Sequence, residues 1–313
     1  MHHELSIIIP VFNEEECIHL LEEELQQVLE RLPESTEVLF IDDGSTDRSF
    51  ELLADLARRQ SWARVVRLRR NFGQTQALAA GIDLARGETL VCMDADLQND
   101  PDDIPRLLEK MEEGYDIVSG WRKRRRDPFL TRRLPSICAN WLIGRFLGVR
   151  IHDYGCSLKA YDARVMKSLH LYSDMHRFLP ALAWKCGARV GEIPVNHRPR
   201  VFGQSKYGLS RIFKVLLDMV VIKLIVDFSS RPAHYFGIMG AVFVGLALWV
   251  LPFFIINLVV GYRSVNVVLP STVILLGLTG LYFFMLSVVG DLIVRVGHHD
   301  PTEYARCTAV EIA

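Results

Sequence analysis

Two runs free of Asp, Glu, Lys and Arg, His234 to Val260 and Ser264 to Gly290, constrain this chain more than any other feature. Each exceeds the roughly 20 apolar residues that cross a bilayer as a helix. We therefore expect two transmembrane helices, the first kinked at Pro252; two fully buried soluble helices are the weaker alternative. Arg263 lies between the runs, whereas Arg211, Lys214, Lys223 and Arg231 precede them and Arg295 and Arg306 follow. Because Lys and Arg accumulate on the cytoplasmic side, both ends of the pair are expected there.

The residues before the first run divide in two. Gly208 to Ser230 is apolar but interrupted by Arg211, Lys214, Asp218, Lys223 and Asp227, the pattern of amphipathic helices lying in a membrane interface. An ordinary surface helix is the alternative. Residues 1–207 read differently. Leu5 to Phe12, Val38 to Ile41, Val65 to Leu68 and Thr89 to Met93 are short apolar runs bounded by helical stretches, Asn13 to about Leu32, a segment capped by Ser45 or Thr46 and ending at Arg59, and Gln74 to Arg86. Strands alternating with helices at this spacing imply a mostly parallel sheet with helices on both faces. The expected organisation is a catalytic domain over 1–207, juxtamembrane helices over 208–230 and a two-helix membrane region with a short cytoplasmic tail over 231–313.

In such sheets ligands bind outside the carboxyl ends of the strands, and here those ends are acidic. The fourth strand runs into Asp94-Ala-Asp96, and residues two apart in a strand point the same way. Both carboxylates then face one side, and Gln98 follows as the chain turns. Oxygen ligands of this kind suit Mg²⁺ or Mn²⁺, which share their shell with substrate phosphates. Phe12-Asn13-Glu14 and Asp42-Asp43 should meet Asp94 and Asp96 along one rim, an arrangement that fits a nucleotide whose diphosphate needs a metal. A solvated acidic turn and simple helix capping are the plainer readings of these residues taken singly. No Gly-x-Gly-x-x-Gly follows the first strand and no Walker lysine loop occurs, so neither a dinucleotide fold nor a P-loop competes.

Composition narrows the class further. A formal net charge of −1 gives no global field for nucleic acid, and none is expected as a partner. The six cysteines, Cys17, Cys92, Cys138, Cys156, Cys186 and Cys307, contain no close pair, which fits neither a zinc site nor a disulfide framework and suits a reducing compartment. Leu5 to Phe12 is too short for a secretory signal. The basic run Arg122 to Arg126, with Arg132 and Arg133 beyond, would attract anionic headgroups by about 1 kcal/mol per cation near a bilayer; a solvated loop is the alternative. Met175 to Leu182, Trp184 and Cys186 read as helix core, with His176 structural.

The order of motifs resembles the family 2 glycosyltransferases. Pro-Val-Phe-Asn-Glu-Glu (10–15), Asp-Asp-Gly-Ser (42–45), Asn-Phe-Gly-Gln (71–74), Asp-Ala-Asp-Leu-Gln (94–98), Asp-Tyr-Gly-Cys-Ser-Leu-Lys-Ala-Tyr (153–161) and Gly-Gln-Ser-Lys-Tyr (203–207) carry it. More narrowly they are similar to the polyprenyl-phosphate sugar transferases related to dolichol-phosphate mannose synthase and the bacterial undecaprenyl-phosphate enzymes. The resemblance implies a GT-A fold, a divalent metal and inverting transfer from a UDP- or GDP-sugar to a polyprenyl phosphate at the cytoplasmic face, the inner membrane if the source is bacterial. It implies that Pro10, Phe12, Glu14, Asp42, Asp43 and Asp94 line the nucleotide. Asp94, Asp96 and Gln98 would hold the metal and donor diphosphate, and Arg122 would contact the donor phosphates, so Asp94, Asp96 and Arg122 form the catalytic set. Arg132 and Ser136, four residues apart on an expected helix, would bind the acceptor phosphate with Arg200 and Lys206. Phe12 stands where many relatives carry Tyr, which removes one phenolic hydrogen bond. Relatives that assemble through their membrane helices make a homo-oligomer the expected state.

Two other readings share parts of this pattern. A processive polysaccharide synthase would carry a Gln-x-x-Arg-Trp motif, yet no Trp in the chain follows an Arg. A non-catalytic nucleotide-binding membrane scaffold would have no need to keep Asp94, Asp96, Gln98, Arg122 and Lys206 together.

Overall fold

The computed structural model describes residues 3–123, 144, 148–149, 151–168, 178–185, 187–199, 232–260, 267–296 and 308–312. The chain divides into two compact units, Met1–Met219 with Asp300–Ala313, and Val220–His299. The expected boundary at residue 207 and the amphipathic stretch 208–230 lie outside the described residues.

The first unit is built on β1 (His3–Val11), which pairs in parallel with both β2 (Thr36–Asp42) and β4 (Gly87–Cys92), while β3 (Ala63–Leu68) extends the sheet beyond β2. Ile7 sits opposite Val38 on one side and Val91 on the other. The pleat sends Leu5, Ile7, Ile9 and Val11 into one buried cluster and Ile8 into another, so the strand is apolar on both faces, as a central parallel strand must be. α1 (Ile18–Leu29), α2 (Ser49–Arg59) and, further along, α4 (Ile104–Glu112) cover the first face through Leu21, Leu25, Leu53, Leu56, Ile104 and Leu107. The alanine-rich α3 (Gln74–Leu84) lies on the second through Ala77, Leu78, Ala80 and Ile82. Each fully buried Ile or Leu contributes about 1.5–3 kcal/mol, so the apolar β1 holds the two helical layers together through both faces of the sheet.

The strand order β3-β2-β1-β4 reverses between β1 and β4. That is the switch point where open α/β sheets form a crevice beyond their carboxyl ends. It places the loops after Val11 and Cys92 side by side, at the rim the sequence pointed to.

The rest of the sheet was not legible in the sequence. β6 (Lys159–Asp162) inserts antiparallel between β4 and β5 (Ile117–Trp121), and β7 (Val190–Pro194) runs parallel to β5. β8 (Thr308–Ile312) pairs antiparallel with β3, Ile312 opposite Val65. The segment expected to be a plain tail therefore ends as a sheet strand. Two short helices, α5 (Ala163–Lys167) and α6 (Leu179–Lys185), pack Ala163, Met166, Leu179 and Ala183 into the second cluster. Trp184 corrects the expectation of a core residue: one position beyond Ala183 it is turned about 100° around the helix and is 45 % exposed.

In the second unit α7 (Pro232–Val260) runs through Pro252 as one helix, and α8 (Val268–Val296) follows. A Cβ on Gly240 would lie 3.0 Å from the Gly280 carbonyl, and one on Gly280 would lie 2.6 Å from Val244 Cγ2. The two backbones thus meet where only glycine fits, the mode of association favoured between membrane helices. Phe243 stacks on Phe283 at 5.5 Å, and Ser287 Oγ donates to the Ala233 carbonyl at 3.1 Å. Ala233–Val259 and Val268–Ile293 have mean hydropathies of 2.5 and 2.2, yet only 6 % and 11 % of their most apolar stretches are buried. Both are long and apolar enough to cross a membrane.

Candidate active site

The first two strand ends are tied into one piece of backbone. After Val11 the chain turns at Asn13, whose φ of 55° is left-handed, a conformation Asn tolerates better than most residues. Its N–H donates to Ser45 Oγ at 3.0 Å and its Oδ1 accepts from the Thr46 N–H at 2.9 Å. Glu14 N–H donates to Ser49 Oγ at 2.9 Å, and Arg48 N–H to Glu15 Oε2 at 3.0 Å. These bonds correct two expectations. The run Asn13-Glu-Glu-Glu does not open the helix, since α1 begins only at Ile18. Ser45 and Thr46 do not cap α2, because both are engaged by Asn13 and the Ser49 N–H is taken by Asp47 Oδ1 instead. Pro10 near the end of β1, and Phe12 and Glu14 in this loop, are half-buried, and the Cys17 thiol, against Glu14 Oε2 at 3.3 Å, is pushed up to about 12 by burial and by that carboxylate.

Asp42 ends β2 and Asp43 follows it, both buried. Asp42 Oδ1 accepts from the Ser45 N–H at 3.1 Å, and its Oδ2 lies 3.2 Å from Arg67 Nε. Asp43 spans the next loop: Oδ1 accepts from the Phe72 N–H and Oδ2 from the Gly73 N–H, each at 2.8 Å. Burial raises both carboxyls above the usual range, against the lowering effect of these donors. A carboxylate offers about four lone-pair sites, so each Asp43 oxygen keeps capacity for a ligand while fixing the start of α3.

At the end of β4, Asp94 and Asp96 stand one residue apart. Asp94 Oδ1 accepts from Gln74 Nε2 at 2.7 Å. Burial first, and the neighbouring Asp96 charge second, raise the Asp94 carboxyl, while a hydrogen bond from Ser157 and the charges of Arg122 and Lys159 oppose the rise. Asp96 is 7 % exposed, and its Oδ1 accepts from the Gln98 N–H at 3.2 Å across a turn in which Leu97 has a φ of 59°. Gln98 is thus joined to the pair through its backbone. Among the described residues no group of three or more His, Cys, Asp or Glu gathers as a closed metal cage. A hard cation here would take Asp94 and Asp96 and complete its shell from a diphosphate and water, which is how Mg²⁺ is commonly held.

Arg122 follows β5 at the same rim. Asp153 grips it side-on, Oδ2 accepting from Nε at 2.7 Å and Oδ1 from Nη2 at 2.9 Å. Burial works against the guanidinium charge, but the Asp153 carboxylate more than offsets it and holds the arginine well above its ordinary value. Lys159, opposite Cys92 in the β4–β6 ladder, is buried, donates to the Tyr154 carbonyl at 3.2 Å and is lowered by burial. Ser157 Oγ also accepts from Asn99 Nδ2 at 2.8 Å. Sequence reasoning assigned roles to none of Gln74, Asp153, Ser157 and Lys159, although all four lie inside motifs that carried the resemblance. Below the acidic pair, Arg198 N–H donates to the Gln98 carbonyl at 3.0 Å, and Arg198 Nη2 reaches Asp100 Oδ1 at 2.9 Å. The structure brings together Pro10, Phe12, Glu14, Asp42, Asp43, Asp94, Asp96, Gln98 and Arg122; Arg132, Ser136, Arg200 and Lys206 lie outside the described residues.

Comparison with known proteins agrees with this architecture. The family model described as glycosyl transferase family 2 matches residues 6–169. A dodecaprenyl-phosphate galacturonate synthase of Rhizobium johnstonii is 41 % identical over 308 residues, covering 95 % of this chain and 89 % of that protein. An undecaprenyl-phosphate 4-deoxy-4-formamido-L-arabinose transferase of Edwardsiella ictaluri is 34 % identical, with 93 % and 89 % covered. Among solved structures, glucosyl-3-phosphoglycerate synthase from Mycobacterium tuberculosis, in complex with Mn²⁺, uridine diphosphate and glucosyl-3-phosphoglycerate, superposes with a TM-score of 0.56 at 17 % identity over 72 % of this chain and 80 % of that one. The sheet is thus of the GT-A kind.

Proposed function

The chain belongs to glycosyl transferase family 2, and on that premise we propose that it transfers a sugar from a nucleotide-sugar donor to a polyprenyl phosphate, giving a lipid-phosphate-linked monosaccharide. The observation that carries the reading is that Asp94 and Asp96 follow β4 at the sheet's switch point while Arg122, clamped by Asp153, follows β5 along the same rim. The two apolar helices, and the lipid-linked products in the names of the two relatives, support a lipid acceptor.

The reaction is a single displacement. An acceptor phosphate oxygen forms a bond to the anomeric carbon as the bond from that carbon to the donor diphosphate breaks, which inverts the centre. A phosphate monoester has a second pKa of about 6, so the nucleophile is already ionised and no proton need move. The chain's task is to receive charge on the departing nucleoside diphosphate. Arg122, held rigidly by Asp153, presents its remaining N–H donors to that group. Mg²⁺ or Mn²⁺ held by Asp94 and Asp96 would supply Lewis-acid neutralisation of the same diphosphate. The loop of Phe12 to Glu14 and the Asp42–Asp43 turn would receive the nucleoside, and Arg132, Ser136, Arg200 and Lys206 the acceptor phosphate.

By the charge rule both ends of the helix pair are cytoplasmic, which puts catalysis on that side of the membrane, and assembly through α7 and α8 belongs to the same reading. The test is a screen of UDP- and GDP-sugars against the purified protein with polyprenyl phosphate, following label into organic-extractable lipid. Transfer from at least one donor is expected; none from any donor, with the protein folded and metal present, would sink the reading.

A further inference from the structure

Arg122 can serve a developing charge only if its guanidinium stays fixed, and the fixing group, Asp153, lies in a loop with little structure of its own. Glu192 of β7, with only 12 % of its side chain exposed, holds the start of that loop, while Lys159 Nζ holds the Tyr154 carbonyl further along. Glu192 Oε1 accepts from the His152 N–H and the Asp153 N–H, each at 3.0 Å, and its Oε2 accepts from the His152 N–H at 3.1 Å. Oε2 also lies 2.7 Å from His152 Nδ1, and the His152 ring stacks on Trp121 with centroids 4.3 Å apart. Trp121 is the residue before Arg122, and its carbonyl accepts from the Val195 N–H at 3.0 Å, three residues past Glu192. Two routes, one through backbone donors and one through stacked rings, therefore lead from one carboxylate to Arg122.

Asp153 uses Nε and Nη2 of the guanidinium. Of the five N–H donors an arginine carries, those left lie on the far side of the plane's edge, and their direction is set by where the Asp153 carboxylate sits. The Asp153 N–H, bound to Glu192, sets the position of that Cα. A carboxylate that accepts from two consecutive backbone N–H groups is a common loop anchor, and taken alone it would be no more than that. Here the anchored residue is the one that aims the arginine.

We propose that Glu192 is a positioning residue for the transfer: it holds the His152–Asp153 backbone so that Asp153 aims Arg122 at the donor diphosphate. The inference rests on the reading of Arg122 as a donor-phosphate ligand. Removing an anchor of this kind leaves the donors present but misdirected, so the loss falls on turnover more than on binding.

The experiment is a double-mutant cycle in the full-length protein with a donor found active in the screen. Glu192→Ala should lower kcat roughly tenfold or more and leave the acceptor KM within about threefold. Made in an Arg122→Ala background, the same change should alter kcat by less than about twofold, because residues acting as one unit are not additive. Glu192→Gln keeps one oxygen for the two backbone donors and should restore most of the turnover, which also covers the case in which the alanine variant does not fold. Multiplicative losses in the cycle, wild-type kcat in Glu192→Ala, or a glutamine variant as slow as the alanine one would each overturn the proposal. A readout independent of transfer is water exchange at the Arg122 Nε–H by ¹⁵N NMR. It should quicken in the Glu192 variants, and an unchanged rate overturns the proposal even if the transferase reading stands.

Discussion

Gln74 Nε2 donates to Asp94 Oδ1 over 2.7 Å, so the first residue of α3 holds the carboxylate at the end of β4. The same helix start is pinned from β2 by Asp43. A hydrogen bond to a charged group is worth about 1.5–3 kcal/mol. Gln74→Ala should therefore slow transfer roughly tenfold or more by letting Asp94 turn away from the diphosphate. Gln74→Glu should be slower still at saturating metal, because it sets a third carboxylate against a pair that already repels. Steady-state rates across a Mn²⁺ titration check this; wild-type turnover in both variants removes Gln74 from the site.

Asp96 Oδ1 accepts from the Gln98 N–H, and its charge helps raise the neighbouring Asp94 carboxyl. Asp96→Ala should remove a hard-cation ligand and abolish transfer while leaving the fold intact by circular dichroism. Full activity in this variant, or turnover undiminished by excess chelator, contradicts the metal assignment.

Acid stability offers a check away from the chemistry. Asp162 caps α5, accepting from the Arg164 N–H at 2.8 Å and pairing with Arg164 Nη2 at 2.7 Å. The hydrogen bond from the Arg164 side chain, chiefly, holds its carboxyl below the ordinary value of 3.8. A depressed carboxyl stabilises the fold fully above its unfolded value and loses that contribution as the pH falls through the folded one. Asp162→Ala should cost about 0.5–2 kcal/mol at neutral pH, the usual loss for a helix cap. The difference in melting temperature between variant and wild type should narrow below pH 3.8; a gap that stays constant into strong acid would refute the linkage.

How much of this was readable follows from where each contact originates. Asp94 and Asp96 were legible because a continuous apolar run ends in them and residues two apart in a strand point the same way, and the shared rim because strands and helices alternate up to that point. The β6 insertion was not, because Lys159-Ala-Tyr-Asp162 is four residues of mixed character whose strand identity comes from pairing with Leu90 and Val118. The Arg122–Asp153 clamp joins residues 31 apart in sequence across a strand inserted out of order, and no spacing rule reports that. Asn13 misled for a local reason: it is a good helix opener in sequence, but its side chain and N–H are drawn to Thr46 and Ser45 on the neighbouring strand end. Tertiary pairing outweighed a capping preference worth only about 1 kcal/mol.

The division of labour between donor and acceptor is the sharpest remaining test. Arg122 stands at the acidic rim, clamped by Asp153, whereas Arg132 and Ser136 fall four residues apart, the spacing that shares a helix face, close to a basic run suited to an anionic lipid. A charge-assisted hydrogen bond to phosphate is worth about 1.5–3 kcal/mol, or about ten- to over a hundredfold in the step it serves. Arg132→Ala should raise the polyprenyl phosphate concentration needed for half-maximal rate, or slow that half-reaction, while nucleotide-sugar binding measured without acceptor stays near wild type. Arg122→Ala should do the reverse, weakening the donor diphosphate interaction and turnover with little change in acceptor dependence. Calorimetric donor binding alongside acceptor-dependent kinetics separates the two. Equal loss of donor binding in both variants, or acceptor kinetics untouched in Arg132→Ala, would show that Arg132 and Arg122 do not serve different substrates.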